Sequence, residues 1–164
     1  MQKLILAGFK GVGKTTTGRL VAEKLSLPFF DTDELLSLRH KKPVRQLHQE
    51  LAEERFREEE AKILEELKKQ TKVVIALGGG TLLSKKAQEM APRMGSLVYL
   101  YSAPEMLMQR LEPASFLDHS DLPGSFKQVF EKRHPLFCKL CEYRIDTDSM
   151  TPDEIAHTIL DFYG

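Results

Sequence analysis

The sequence carries no excess of either charge: 24 Lys plus Arg stand against 24 Asp plus Glu. That balance leaves no global field to hold nucleic acid or an anionic membrane, so neither is expected as a partner and binding must be read from local sites. No apolar run approaches the length of a membrane span. Linkers and internal repeats are missing too, and 164 residues are most simply one domain, 1–164, large enough to bury a real core. A removable signal peptide is not expected, because the segment that carries the chemistry already begins at Gly8. A cytoplasmic, monomeric protein is the expectation. Cysteine occurs twice, as Cys138 and Cys141, which form C-x-x-C with His134 at helical spacing. No second cysteine pair exists to complete a four-ligand zinc site, and a thioredoxin-like site would stand early, after a strand. The two are therefore read as ordinary reduced thiols on a helix.

What the chain does contain is a phosphate-binding loop. Gly8-Phe9-Lys10-Gly11-Val12-Gly13-Lys14-Thr15 fits G-x-x-x-x-G-K-[ST] at every defined position. Three glycines let the backbone curl, so that N–H groups over Gly11, Val12, Gly13, Lys14, Thr15 and Thr16 can point at phosphate oxygens. Lys14 has the reach for the β- and γ-phosphates, and Thr15 offers a hydroxyl to Mg²⁺. The apolar run Lys3 to Ala7 suits a buried strand, and Leu20, Val21 and Leu25 recur at helical spacing. The loop thus sits at a helix N-terminus, where the dipole favours an anion.

Further on, Leu27 to Phe30 reads as a short strand closing on Asp31-Thr32-Asp33, with Asp33 or Thr32 as a cap for the next helix. Val44 to Lys69 reads as one long charged helix. The run Lys72 to Leu77 is the clearest buried strand, and it enters Gly78-Gly79-Gly80. A helix follows over Ser84 to Met90, a strand over Ser96 to Tyr101, and a helix over Pro104 to Leu111. Periodicity fails from Glu112 to Ser125, where a mobile loop is expected, functional rather than idle. A helix over Phe126 to Leu140, a strand over Tyr143 to Asp146 and a Thr151-capped helix over Pro152 to Tyr163 complete the chain. Strands alternating with helices imply an α/β fold with parallel pairing and helices on both faces, in three layers, α/β/α. Ligands of such sheets bind at the strands' carboxyl ends, where the phosphate loop, Asp31 to Asp33 and the triple glycine all fall. Within that crevice Asp33 is a candidate partner for acceptor hydroxyls, and Arg57 for a carboxylate held bidentately.

The ordered set GFKGVGKT, FFDTDEL, ERFREEE, LGGG, EKRHPL and RIDTDSMTPDE closely resembles shikimate kinase over nearly the whole chain. The resemblance implies ATP-dependent phosphorylation of the 3-hydroxyl of shikimate by a P-loop kinase with a five-stranded parallel sheet and a closing lid, about 112–125. It implies that Lys14 contacts the transferred phosphate, that Thr15 ligates Mg²⁺ with Asp31 behind it, and that Asp33 holds the reacting hydroxyl. Arg57, Arg133 and the backbone of Gly79 and Gly80 match the carboxylate-binding positions, with Glu53 and Glu60 as ion-pair supports. Arg110 and Pro152 match the pair that sandwiches adenine.

Two departures from the family pattern stand out. No arginine occurs between Arg110 and Arg133, although the family's lid usually carries one that reaches the ATP phosphates. His48 stands where an aromatic residue commonly lines the acceptor pocket. Lys10 is the candidate replacement cation, with Lys127 as the alternative. Two rival readings accompany this one: another small-molecule P-loop kinase, or a nucleotide-binding regulator with weak turnover.

Overall fold

The computed structural model describes residues 3–110 and 123–163. Five strands, β1 (Lys3–Ala7), β2 (Phe29–Asp31), β3 (Val74–Ala76), β4 (Gly95–Tyr101) and β5 (Tyr143–Asp146), form one sheet in the order β2-β3-β1-β4-β5. All four pairings are parallel. Strands buried on both faces read as continuous apolar runs, and Leu4, Ile5, Leu6, Val74, Ile75, Leu97 and Val98 are accordingly inaccessible to solvent. Helices cover both faces of the sheet. Among the described residues they are α1 (Lys14–Leu25), α2 (Thr32–His40), α3 (Val44–Glu50), α4 (Glu53–Lys68), α5 (Lys85–Met94), α6 (Pro104–Arg110), α7 (Pro123–Leu140) and α8 (Pro152–Tyr163).

Close backbone approach explains two glycines outside the phosphate loop. A Cβ on Gly18 of α1 would lie 2.4 Å from the Phe29 ring, and one on Gly95 would lie 2.1 Å from the Lys3 carbonyl oxygen, where β4 enters beside β1. The Thr151 cap forms as expected, and reciprocally: its Oγ1 accepts from Glu154 N–H while Glu154 Oε1 accepts from Thr151 N–H, each at 3.2 Å.

Several boundaries differ from the sequence reading: β2 runs over 29–31 rather than 27–30, β3 over 74–76 rather than 72–77, and α5 continues to Met94 rather than ending at Met90. Three further differences bear on packing. The segment 44–69 is two helices, because Leu51 (ψ 143°) and Ala52 (ψ 150°) are extended. That break lets Leu47 and Phe56 both be buried although they lie on separate helices, and it brings the His48 ring edge-on to Phe56 at 4.5 Å. The α7 helix begins at Pro123, three residues before the expected start, consistent with proline's fitness for a first turn. The cap of α2 is neither Asp33 nor Thr32 but Asp31, whose side chain accepts from the N–H groups of Asp33 and Glu34. Asp31 is the residue with extended backbone just before the helix, which is what capping requires. The lid expected at 112–125 falls outside the described residues, apart from 123–125 at the head of α7.

Candidate active site

The phosphate loop leaves the central strand β1 and opens α1. Gly8, Gly11 and Gly13 have φ of 152°, 89° and 96°, the region glycine enters without steric cost. Val12 N–H donates to the Phe9 carbonyl at 3.2 Å, which closes the loop's turn. Lys14 Nζ lies across the loop and donates to the carbonyls of Gly8 (2.7 Å) and Phe9 (3.1 Å). Burial pushes its pKa down to about 8, against the opposing pull of Asp33 and Asp31. At the start of α1, Thr15 Oγ1 donates to Asp31 Oδ2 at 2.7 Å, while Asp31 Oδ1 accepts from Asp33 N–H at 2.9 Å and Glu34 N–H at 3.2 Å. Both expected metal-binding side chains therefore meet at one point.

The triple glycine after β3 faces three different functional side chains. A Cβ on Gly78 would stand 2.5 Å from Asp33 Oδ1, one on Gly79 would stand 3.6 Å from an Arg133 guanidinium nitrogen, and one on Gly80 would stand 2.5 Å from Arg57 Nη2. The turn is thus a floor on which a carboxylate and two guanidinium groups rest. Buried Thr32 ties it down by accepting from Gly78 N–H at 2.8 Å. Asp33 has its pKa raised to about 6, first by burial, then by the charges of Asp31 and Glu60.

Arg57 is aimed by its own helix. Its Nε donates to Glu53 Oε1 at 2.8 Å and its Nη1 to Glu60 Oε1 at 2.5 Å, at spacings of four and three along α4. Glu60 is only 2% exposed, and its second oxygen accepts from buried Thr81 Oγ1 at 2.6 Å. A buried carboxylate so satisfied holds its arginine firmly. Both ion-pair supports expected from the sequence are in place.

These groups converge on a single cavity of about 880 Å³. Lys10, Gly11, Gly13, Lys14, Thr15 and Thr16 line one side, with Asp31 and Asp33 beside them. Arg57, Gly79, Gly80, Arg133 and His48 line the other. His48 pairs with Glu53 at 3.4 Å, and burial holds its imidazole below the ordinary range. Lys10 is exposed at the rim, close enough that its charge acts on both Lys14 and Asp33. Lys127 is exposed on α7 and is not part of the cavity wall. Val12 is buried behind the loop. Arg110 and Pro152 lie elsewhere, outside this cavity: Arg110 ends α6 and pairs with Asp148 at 3.6 Å, and Pro152 opens α8.

Sequence reasoning placed Gly78 and Thr32 in the crevice without the contacts they make there, and it missed Thr81 and the packing of Phe9. The Phe9 ring stacks on Phe130 of α7 at 4.8 Å and meets Phe137 edge-on at 5.2 Å. The hint was available: Phe126, Phe130 and Phe137 are separated by four and then seven residues, close to one and two helical turns, so they share one face of α7. Among the described residues no group of three or more His, Cys, Asp or Glu could hold a metal, and Cys138 and Cys141 are free thiols.

A phosphate loop on the central strand of a parallel sheet, facing a carboxylate and two arginines across one cavity, defines a P-loop phosphotransferase for a small acceptor. Comparison with known proteins narrows the class. The shikimate kinase family model matches residues 10–163. A shikimate kinase of Caldicellulosiruptor saccharolyticus is 34% identical, with 99% of this chain and 96% of that protein covered. The solved shikimate kinase of Acinetobacter baumannii in complex with shikimate superposes with a TM-score of 0.92 at 29% identity, covering 98% of this chain and 92% of that one. That of Bacteroides thetaiotaomicron gives 0.86 at 30%, covering 98% and 96%. The chain belongs to the shikimate kinase family, as an ATP-using kinase of the shikimate pathway.

Proposed function

We propose that the cavity binds ATP along the phosphate loop and shikimate between Asp33 and the two arginines, and that the 3-hydroxyl is the acceptor. The observation that carries this reading is the triple glycine, whose surface brings Asp33, Arg133 and Arg57 together opposite Lys14. Two guanidinium groups above glycine backbone suit a planar carboxylate, which takes paired N–H donors. Asp33, beside Lys14, suits a hydroxyl that must lose its proton as it attacks.

Phosphoryl transfer proceeds through a loose transition state, so catalysis is mainly alignment and charge neutralisation. Arg57 and Arg133 fix the acceptor's anionic end, which sets the distance of its hydroxyl from the phosphate loop. Asp33 accepts the hydrogen bond of that hydroxyl and takes the proton late in the transfer. Lys14 and the loop amides of Gly11 to Thr16 draw the charge of the transferred group. The Thr15 hydroxyl and the Asp31 carboxylate fit Mg²⁺, a hard ion that takes few protein oxygens and keeps waters and phosphates as its other ligands. Bound there, Mg²⁺ supplies neutralisation of the phosphate charge. Arg110 and Pro152 flank the adenine, and Lys10 is the cation that stands in for the family's lid arginine. The protein acts as a cytoplasmic monomer.

A coupled ADP-release assay with shikimate, gluconate and nucleoside monophosphates tests the acceptor. Turnover is expected with shikimate alone, to be abolished in Asp33→Asn while ATP·Mg²⁺ still binds. Equal loss of nucleotide binding in that variant would move Asp33 to the metal. In Arg57→Lys and Arg133→Lys the shikimate affinity should fall by the worth of a charge-assisted hydrogen bond, about 1.5–3 kcal/mol. Unchanged binding in both would remove the clamp.

A further inference from the structure

Arg133 and His134 are neighbours on α7, and they face different tasks. Arg133 lines the acceptor cavity, while His134 points back to the sheet, where its Nδ1 lies 2.8 Å from the hydroxyl of Tyr99 on β4. Tyr99 is fully buried. A buried phenol needs an acceptor for its proton, so the hydroxyl donates and His134 Nδ1 accepts. Rings also pack on rings across this face: Phe9 on Phe130 at 4.8 Å, Phe130 on His134 at 5.1 Å, and Tyr101 tilted to His134 at 5.4 Å. Ring stacks resist separation but tolerate sliding. A hydrogen bond has direction.

We propose that Tyr99 and His134 form a positioning pair that fixes the roll of α7 about its own axis and thereby aims Arg133 at the acceptor carboxylate. Successive residues project about 100° apart around a helix, so holding His134 against β4 sets where Arg133 points. A roll of about 10° would carry a side-chain tip about 6 Å from the axis through about 1 Å, a misplacement that matters in a site built on alignment. The inference rests on the reading of Arg133 as a carboxylate ligand. The pair works only while the imidazole is neutral, since a protonated Nδ1 has no lone pair to offer. The groups that face His134 are the Tyr99 hydroxyl and Tyr101 ring of β4, Arg144 of β5, whose guanidinium lies 3.8 Å from the Tyr101 ring centroid, and the Cys138 thiol one turn along α7. Burial and the Arg144 charge both hold its pKa below the ordinary imidazole value, so the neutral form is kept at pH 7 and is lost as pH falls through the lowered pKa.

Steady-state kinetics on Tyr99→Phe, His134→Leu, His134→Asn and Arg133→Lys test the pair. Tyr99→Phe and His134→Leu should raise the shikimate KM about two- to tenfold, the factor a neutral hydrogen bond carries, with the ATP KM unchanged. His134→Asn, whose side-chain oxygen can take the place of Nδ1, should restore the shikimate KM relative to His134→Leu. It should also remove a pH dependence: the ratio of wild-type to His134→Asn KM should climb on acidification. A Tyr99→Phe variant that melts earlier but keeps its shikimate KM would overturn the proposal, as would a ratio that stays flat with pH. If Arg133→Lys raises the shikimate KM while Tyr99→Phe does not, the positioning pair alone fails. An unchanged KM in Arg133→Lys refutes the carboxylate reading and this proposal with it.

Discussion

Replacing Gly80 with alanine adds one methyl group, and its consequence can be worked from distances. The new Cβ would stand 2.5 Å from Arg57 Nη2, 2.9 Å from Nη1 and 3.0 Å from Cζ. Backbone strain is not at issue, because Gly80 has φ of −111°. An arginine on the surface would swing aside at little cost, but Arg57 is 11% exposed and held at both ends by Glu53 and Glu60. The guanidinium must therefore leave at least one partner or move off the acceptor. Loss of its charge-assisted bond to the acceptor is worth about 1.5–3 kcal/mol, roughly ten- to 150-fold in affinity. Overpacking adds about 1–3 kcal/mol of instability, which a domain of ordinary stability survives. Gly78→Ala supplies the contrast, since its Cβ would meet Asp33 Oδ1 at 2.5 Å instead. In a coupled ADP assay with calorimetric titration of both ligands, Gly80→Ala should raise the shikimate KM and Kd with ATP affinity retained. Gly78→Ala should act chiefly on kcat. Wild-type shikimate affinity in a folded Gly80→Ala protein would refute the placement of Arg57 over the acceptor, and the same kinetic signature in both variants would refute the division of labour along the turn.

Two further variants probe groups that were silent or ambiguous in the sequence. Lys10→Met should lower kcat and kcat/KM together while ATP dissociation barely changes, the pattern of an interaction made chiefly in the transition state; wild-type turnover would dismiss Lys10 as the replacement cation. Thr81→Val removes the hydroxyl that satisfies buried Glu60 and should cost about 1–3 kcal/mol, read by calorimetry as a fall in Tm of roughly 2–12 °C, and an unchanged Tm would show that Glu60 finds another donor.

The parts of the molecule that were legible from residues alone are those governed by local rules. The phosphate loop, the central strand β1 and the Thr151 cap each depend on residues close together in the chain, and each formed as read. The break at Leu51 and Ala52 was not legible, because neither residue is a helix breaker; tertiary packing of Leu47 and Phe56 decides it. The same limit applies within the site. Thr32 and Thr81 look ordinary in sequence, and their importance arises from partners 46 and 21 positions away. Gly79 and Gly80 could be suspected of approaching an anion, but that Gly78 seats Asp33 follows only from how β3 and α2 lie together.

Asp31 divides its two carboxylate oxygens between α2 and Thr15, one oxygen closing the helix end and the other facing the phosphate loop. On the proposed function, a mutation there is selected against twice, once for folding and once for chemistry. Its persistence in a lineage is therefore a poor sign that the lineage still carries out the reaction, since the helix alone would preserve it. Arg57 is held twice in the same way, since its replacement would leave buried Glu60 without its ion pair, so neither residue taken alone records whether the reaction continues.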